Sequence, residues 1–135
     1  MKVFLGGTCN DSKWRNEIVP ALKIDYFNPV VDDWTPECKL VEITERNNCD
    51  FCLYGITPEM KGVYSIAEAV DDSNKRPEKT ILVLLEEYGG IRFGKEQWIS
   101  LLSVRDMVKL NGASVFYSLK DATNYLNTRA MCCNY

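Results

Sequence analysis

Glu68 stands in the run Gly62-Val63-Tyr64-Ser65-Ile66-Ala67-Glu68-Ala69, directly after the strand-like segment Phe51-Cys52-Leu53-Tyr54-Gly55-Ile56. A carboxylate one or two turns into a helix, just past the C-terminal end of a buried strand, sits where open α/β sheets place their ligands. The apolar neighbours Ile66, Ala67, Ala69 and Val70 imply a helix packed closely on the sheet. Glu68 then reads as a nucleophile, with Tyr64 and Ser65 to orient it through hydrogen bonds. The plainer alternative is a solvated acid that gains from the helix dipole. The chain contains no histidine. That removes the commonest general base, the Ser-His and Cys-His nucleophile pairs and most zinc sites, so catalysis has to rest on carboxylates, hydroxyls or thiols.

Two further loops carry side chains suited to a ligand. In Gly6-Gly7-Thr8-Cys9-Asn10 the glycines let backbone approach a ligand closely, and Thr8 and Asn10 can donate or accept hydrogen bonds. The run is neither the Gly-x-Gly-x-x-Gly of dinucleotide sites nor a P-loop, so no cofactor is expected. A tight strand-to-helix turn would explain its glycines equally well. In Asn28-Pro29-Val30-Val31-Asp32-Asp33-Trp34, two carboxylates beside a flat ring can hydrogen-bond the edge of a base and stack on its face. They also fit helix caps in solvent beside a core tryptophan, although Asn28-Pro29 makes the run a structured loop at the expected ligand crevice.

The elements that must position these groups follow from composition and period. The chain has 135 residues and 46% hydrophobic content, the size of one domain, 1–135, with a real core. With 16 basic and 19 acidic residues and a net charge of -3, and with Lys and Arg scattered, neither a nucleic acid polymer nor an anionic membrane is an expected partner. Apolar runs such as Ile81-Leu82-Val83-Leu84-Leu85 are too short to span a bilayer, and Lys2-Val3-Phe4-Leu5 lacks the pattern of a secretory signal. The six cysteines read as reduced thiols of a cytoplasmic protein. Cys49 and Cys52 have metal spacing, but in an extended strand they point to opposite faces, and no zinc is expected. Cys132-Cys133 reads as incidental.

Strand-like runs recur at Val3 to Leu5, Tyr26 to Val31, Phe51 to Ile56, Thr80 to Leu85 and Ala113 to Tyr117. Five strands alternating with helices imply a parallel sheet covered on both faces, of the flavodoxin-like, doubly wound order 2-1-3-4-5. The first helix is predicted from Ser12 or Lys13 to about Ala21–Lys23, capped by Asp11 or Ser12. The second starts after Thr35-Pro36 and ends at Asn47 or Asn48. The third spans Tyr64 to Asp72, closed by the polar run Asp72-Ser73-Asn74-Lys75-Arg76-Pro77. The fourth follows Phe93-Gly94 and stops at Asn111-Gly112, and the fifth follows Ser118. The loops after strands one, two and three then share one crevice.

Taken together, Val3-Phe4-Leu5-Gly6-Gly7-Thr8, Tyr26-Phe27-Asn28-Pro29-Val30-Val31-Asp32-Asp33-Trp34, and Cys49-Asp50-Phe51 continuing to Tyr64-Ser65-Ile66-Ala67-Glu68 resemble the small nucleoside 2-deoxyribosyltransferases, in particular the short branch described as nucleoside 2-deoxyribosyltransferase-like. The resemblance covers nearly the whole chain. It implies a glutamate, matched by Glu68, that attacks C1′ of a 2′-deoxynucleoside, expels the base and forms a glycosyl ester which a second base resolves. It also implies carboxylates that handle the base: Asp32 and Asp33, with Glu42 and Asp50 as further candidates. The partners would be a nucleoside and a free nucleobase. A homo-oligomer is implied too, in which a partner subunit, through an end such as Asn134-Tyr135, completes the pocket. One departure is evident: relatives carry an aspartate six residues before the glutamate, where this chain has Gly62. Two alternatives to base exchange follow, an N-glycoside hydrolase for nucleosides or nucleotides and a nucleotide-binding module without catalysis.

Overall fold

Strands that are apolar on both faces have to lie inside a sheet covered on both sides. In the computed structural model, which describes residues 1–9 and 11–132, the strands are β1 (Lys2–Gly7), β2 (Asp25–Phe27), β3 (Phe51–Ile56), β4 (Thr80–Leu84), β5 (Glu87–Tyr88), β6 (Ile91–Arg92) and β7 (Ser114–Phe116). The helices are α1 (Trp14–Ile18), α2 (Pro36–Asn48), α3 (Tyr64–Lys75), α4 (Lys95–Leu110) and α5 (Leu119–Cys132). Five strands form one parallel sheet in the order β2-β1-β3-β4-β7. This is the predicted flavodoxin-like order, with the fifth sheet strand displaced in number by a hairpin.

Period-two alternation within each strand builds two cores. Val3, Leu5, Leu53, Ile81 and Val83 face Trp14 and Ile18 of α1 and Ala122 and Leu126 of α5. Phe4, Tyr54, Ile56, Leu82 and Leu84 face Ala69 of α3 and Leu101 and Val108 of α4. Each such side chain removed from water contributes about 1.5–3 kcal/mol. No helix among the described residues is long and apolar enough to cross a membrane.

Several local expectations are corrected. β2 stops at Phe27 because Pro29 cannot extend a ladder, and α1 gives way at Val19–Ala21 to a 3-10 turn containing Pro20. Lys13, not Asp11 or Ser12, occupies the N-cap position of α1; the Ser12 hydroxyl instead donates to Glu59 Oε1 at 2.7 Å. Cys49 lies in the turn ahead of β3, outside the strand, so it joins Cys52 in the same core instead of facing away from it. The hairpin of β5 and β6 turns on Gly89 and Gly90, at φ 61° and 77°, a two-residue turn that needs left-handed backbone at both positions. Helix α2 has no buried residue: Leu40 is 67% exposed, and Val41 and Ile43 are exposed as well.

Candidate functional site

The carboxyl ends of β1 and β3 are drawn together by two glycines. Gly7 has φ +115°, and a Cβ there would lie 2.1 Å from the Gly55 carbonyl oxygen, so only glycine permits the approach. The Thr57 N–H then donates to Thr8 Oγ1 at 2.9 Å, which fixes the loop leading from β3 to α3. Ser65, in the first turn of α3, donates its hydroxyl to the Gly7 carbonyl at 3.1 Å and ties that helix to the end of β1. Glu68 follows one turn later on the same face. Ala69 beside it is fully buried, and the Glu68 side chain itself is only 14% exposed.

Arg46 of α2 faces Glu68, with Nη1 3.7 Å from Oε2. Arg46 is held from behind by α3, its Nε and Nη2 donating to the two oxygens of Asp72 at 3.0 and 2.9 Å and its Nη2 to Asp71 at 2.9 Å. The fully buried Asp72 also accepts hydrogen bonds from Arg76 and from the Tyr54 hydroxyl. Burial alone would raise the pKa of Asp72, but Arg46, Tyr54 and Arg76 outweigh it and hold the carboxyl below its ordinary value. Glu68 goes the other way. Burial pushes it up to about 7, opposed by Arg46 and reinforced by the charges of Glu42 and Asp72.

Two cavities meet at this glutamate. One, of about 250 Å³, is lined by Gly7, Thr8, Arg15, Lys61, Gly62 and Ser65 among others. The other, of about 260 Å³, is lined by Trp34, Lys39, Ile43 and Arg46. Glu42, Tyr64 and Glu68 line both. Burial raises the pKa of Glu42 too, with Lys39 pulling it back. A nearly buried carboxylate, a second carboxyl with raised proton affinity and a neighbouring guanidinium form a set suited to nucleophilic attack with proton transfer to a leaving group. Among the described residues no group of three or more carboxyl or thiol side chains is placed to hold a metal.

The sequence-predicted residues divide accordingly. Gly7, Thr8, Tyr64, Ser65 and Glu68 converge on the first cavity, and Trp34, 60% exposed, borders the second. Asp32 and Asp33 are exposed and line neither cavity. Asn28 folds its side chain back to accept from the Val30 N–H at 3.0 Å, leaving Pro29 at the cavity wall. Asp50 lies at the opposite, amino end of the strands, where it precedes β3 and accepts from the Lys2 N–H at 2.8 Å. Asn10, Asn134 and Tyr135 lie outside the described residues.

Arg15, Arg46 and Lys61 were not anticipated. The i, i+4 spacing of Glu42 and Arg46 puts both on one face of α2, a signal that points them at a common neighbour. A family model described as nucleoside 2-deoxyribosyltransferase like matches residues 1–88. No curated protein and no solved structure matches the chain.

Proposed function

Because the chain belongs to the nucleoside 2-deoxyribosyltransferase-like family, we propose that it cleaves the N-glycosidic bond of 2′-deoxynucleosides and transfers the deoxyribosyl group to a second nucleobase. The observation that carries this reading is the position of Glu68 at the junction of two cavities, beside Glu42 and Arg46. A Glu68 oxygen attacks C1′ as the C1′–N bond breaks, giving a glycosyl ester; Glu42 delivers a proton to the departing base. A second base then attacks C1′, returns a proton to Glu42 and releases the Glu68 carboxylate. Arg46 keeps Glu68 oriented and favours its charged form. Trp34 and Tyr64 offer exposed rings against which a base can lie. Base handling falls to Glu42 in place of Asp32 and Asp33, which line neither cavity.

The same reading includes a homo-oligomer. It is supported by the exposed apolar side chains Leu40, Val41 and Ile43 on α2 and Val63 and Tyr64 at the start of α3, of which Ile43 and Tyr64 line the second cavity.

The test is to incubate the protein with 2′-deoxynucleosides and a different free base, following products by chromatography beside Glu68→Gln. The parent protein is expected to form the new nucleoside, and the variant to lose the reaction by about a thousandfold or more. Free base and free sugar as the only products would replace transfer by hydrolysis. Full activity in Glu68→Gln would refute the assignment.

A further inference from the structure

We propose that the cavity beside Glu68 ends in a seat for the 5′-phosphate of a 2′-deoxynucleoside monophosphate, built from the buried guanidinium of Arg15 together with Lys61. The proposal rests on the reading of Glu68 as the group that meets C1′. It starts from a buried cation with which no carboxylate pairs among the described residues. Arg15 is 4% exposed. Its N–H groups donate to main-chain oxygens: Nε to Leu5 at 2.9 Å, Nη1 to Thr8 at 2.7 Å and Nη2 to Gly7 at 3.5 Å.

Among the described residues no carboxylate lies within salt-bridge distance of Arg15, whereas Arg46 and Arg76, also largely buried, both pair with Asp72. Burying a cation is costly, and burial pulls the pKa of Arg15 down, opposed by the neighbouring side chain of Cys9. An anion on its open side removes that cost. Guanidinium also has N–H groups left over after these three bonds, in the fork that matches a phosphate.

The open side is the cavity. Arg15 and Lys61 line it, and so does Gly62, where nothing lies within 4 Å of the position a Cβ would take. The wall there is open space beside Lys61, in the cavity that Arg15 also lines. The spacing also fits. Arg15 and Ser65 donate to the same Gly7 carbonyl, and Ser65 is less than one helical turn, roughly 5 Å, from Glu68. A nucleotide can lie along this wall of the cavity, with C1′ at the carboxylate and the 5′ substituent at the guanidinium. The base then leaves C1′ toward the second cavity, past Tyr64 to Trp34.

Calorimetry on the Glu68→Gln protein, which separates binding from turnover, tests the seat with 2′-deoxyadenosine, its 5′-monophosphate and inorganic phosphate as probes. The monophosphate is expected to bind about tenfold or more tighter than the nucleoside, with inorganic phosphate competing against it. Arg15 also ties down the end of β1, so its removal risks unfolding. Exposed Lys61 is the safer variant, and Lys61→Ala should weaken the monophosphate several-fold and leave the nucleoside unchanged.

Equal affinity for the two ligands, or a Lys61→Ala effect on both alike, overturns the proposal. The two readings fail separately. A protein that exchanges bases on nucleosides while rejecting monophosphates keeps Glu68 and loses the seat. One that binds monophosphates selectively and cleaves nothing keeps the seat and loses the chemistry.

Discussion

Glu68 draws its properties from a competition between a nearly dry environment and one guanidinium, and the dry environment wins. Its proton is therefore retained to about pH 7, where an ordinary glutamate would lose it near 4.5. Attack on C1′ needs the charged form, so kcat/KM for base exchange is expected to rise with pH and level off above about 7; a profile flat from pH 5 to 8 would contradict the role. Stability changes in the opposite sense. Between the unfolded and folded pKa values the native state holds the proton more tightly, so stability declines as pH rises through that window and stays low above it. Glu68→Gln should accordingly unfold at higher denaturant than the parent at pH 8, by roughly 1–3 kcal/mol, with little difference at pH 4. The position of Glu68 was legible because strand polarity alone puts it at the ligand end of the sheet. The same polarity excludes Asp50, which precedes its strand. Arg15 was not legible, since an arginine in a first helical turn normally reads as solvated, and its burial depends on three carbonyls at the end of β1.

Among the elements, α3 departs most from its sequence pattern. Its third turn looks like a polar terminus, yet Asp72 and Ser73 are fully buried. The cause is tertiary: Tyr54 on β3, Arg46 on α2 and Arg76 at the end of α3 all reach Asp72, and no local propensity encodes that meeting. This cluster is what fastens α2, a helix with no buried residue of its own, to the remainder of the site. Asp72→Asn leaves two largely buried arginines without their shared carboxylate and should cost about 3–5 kcal/mol in denaturant unfolding. Loss below 1 kcal/mol would show that the cluster is dispensable. Helix boundaries elsewhere were readable from chemical punctuation, Pro36 opening α2 and Asn111-Gly112 closing α4. The hairpin at Gly89-Gly90 went unread because its strands are two residues each, too short for any periodicity to register.

At the scale of the whole molecule, the sheet order was legible because five apolar runs separated by helical segments admit few right-handed parallel arrangements. What no alternation pattern could reveal is how bare α2 is, with Leu40 and Ile43 meeting solvent. Sedimentation velocity is expected to find a dimer or larger assembly at micromolar protein, and a monomer at every concentration would remove the homo-oligomer from the reading. The absence of histidine has a last consequence, for spectroscopy. Near neutrality most proteins give titration signals crowded with imidazoles, and this one has none. The Glu68 carboxyl, with its pKa raised to about 7, changes charge in a window free of imidazoles. The protein thus carries a built-in reporter at the junction of its two cavities, and the displacement of a single carbon-13 titration curve would record the arrival of a ligand there.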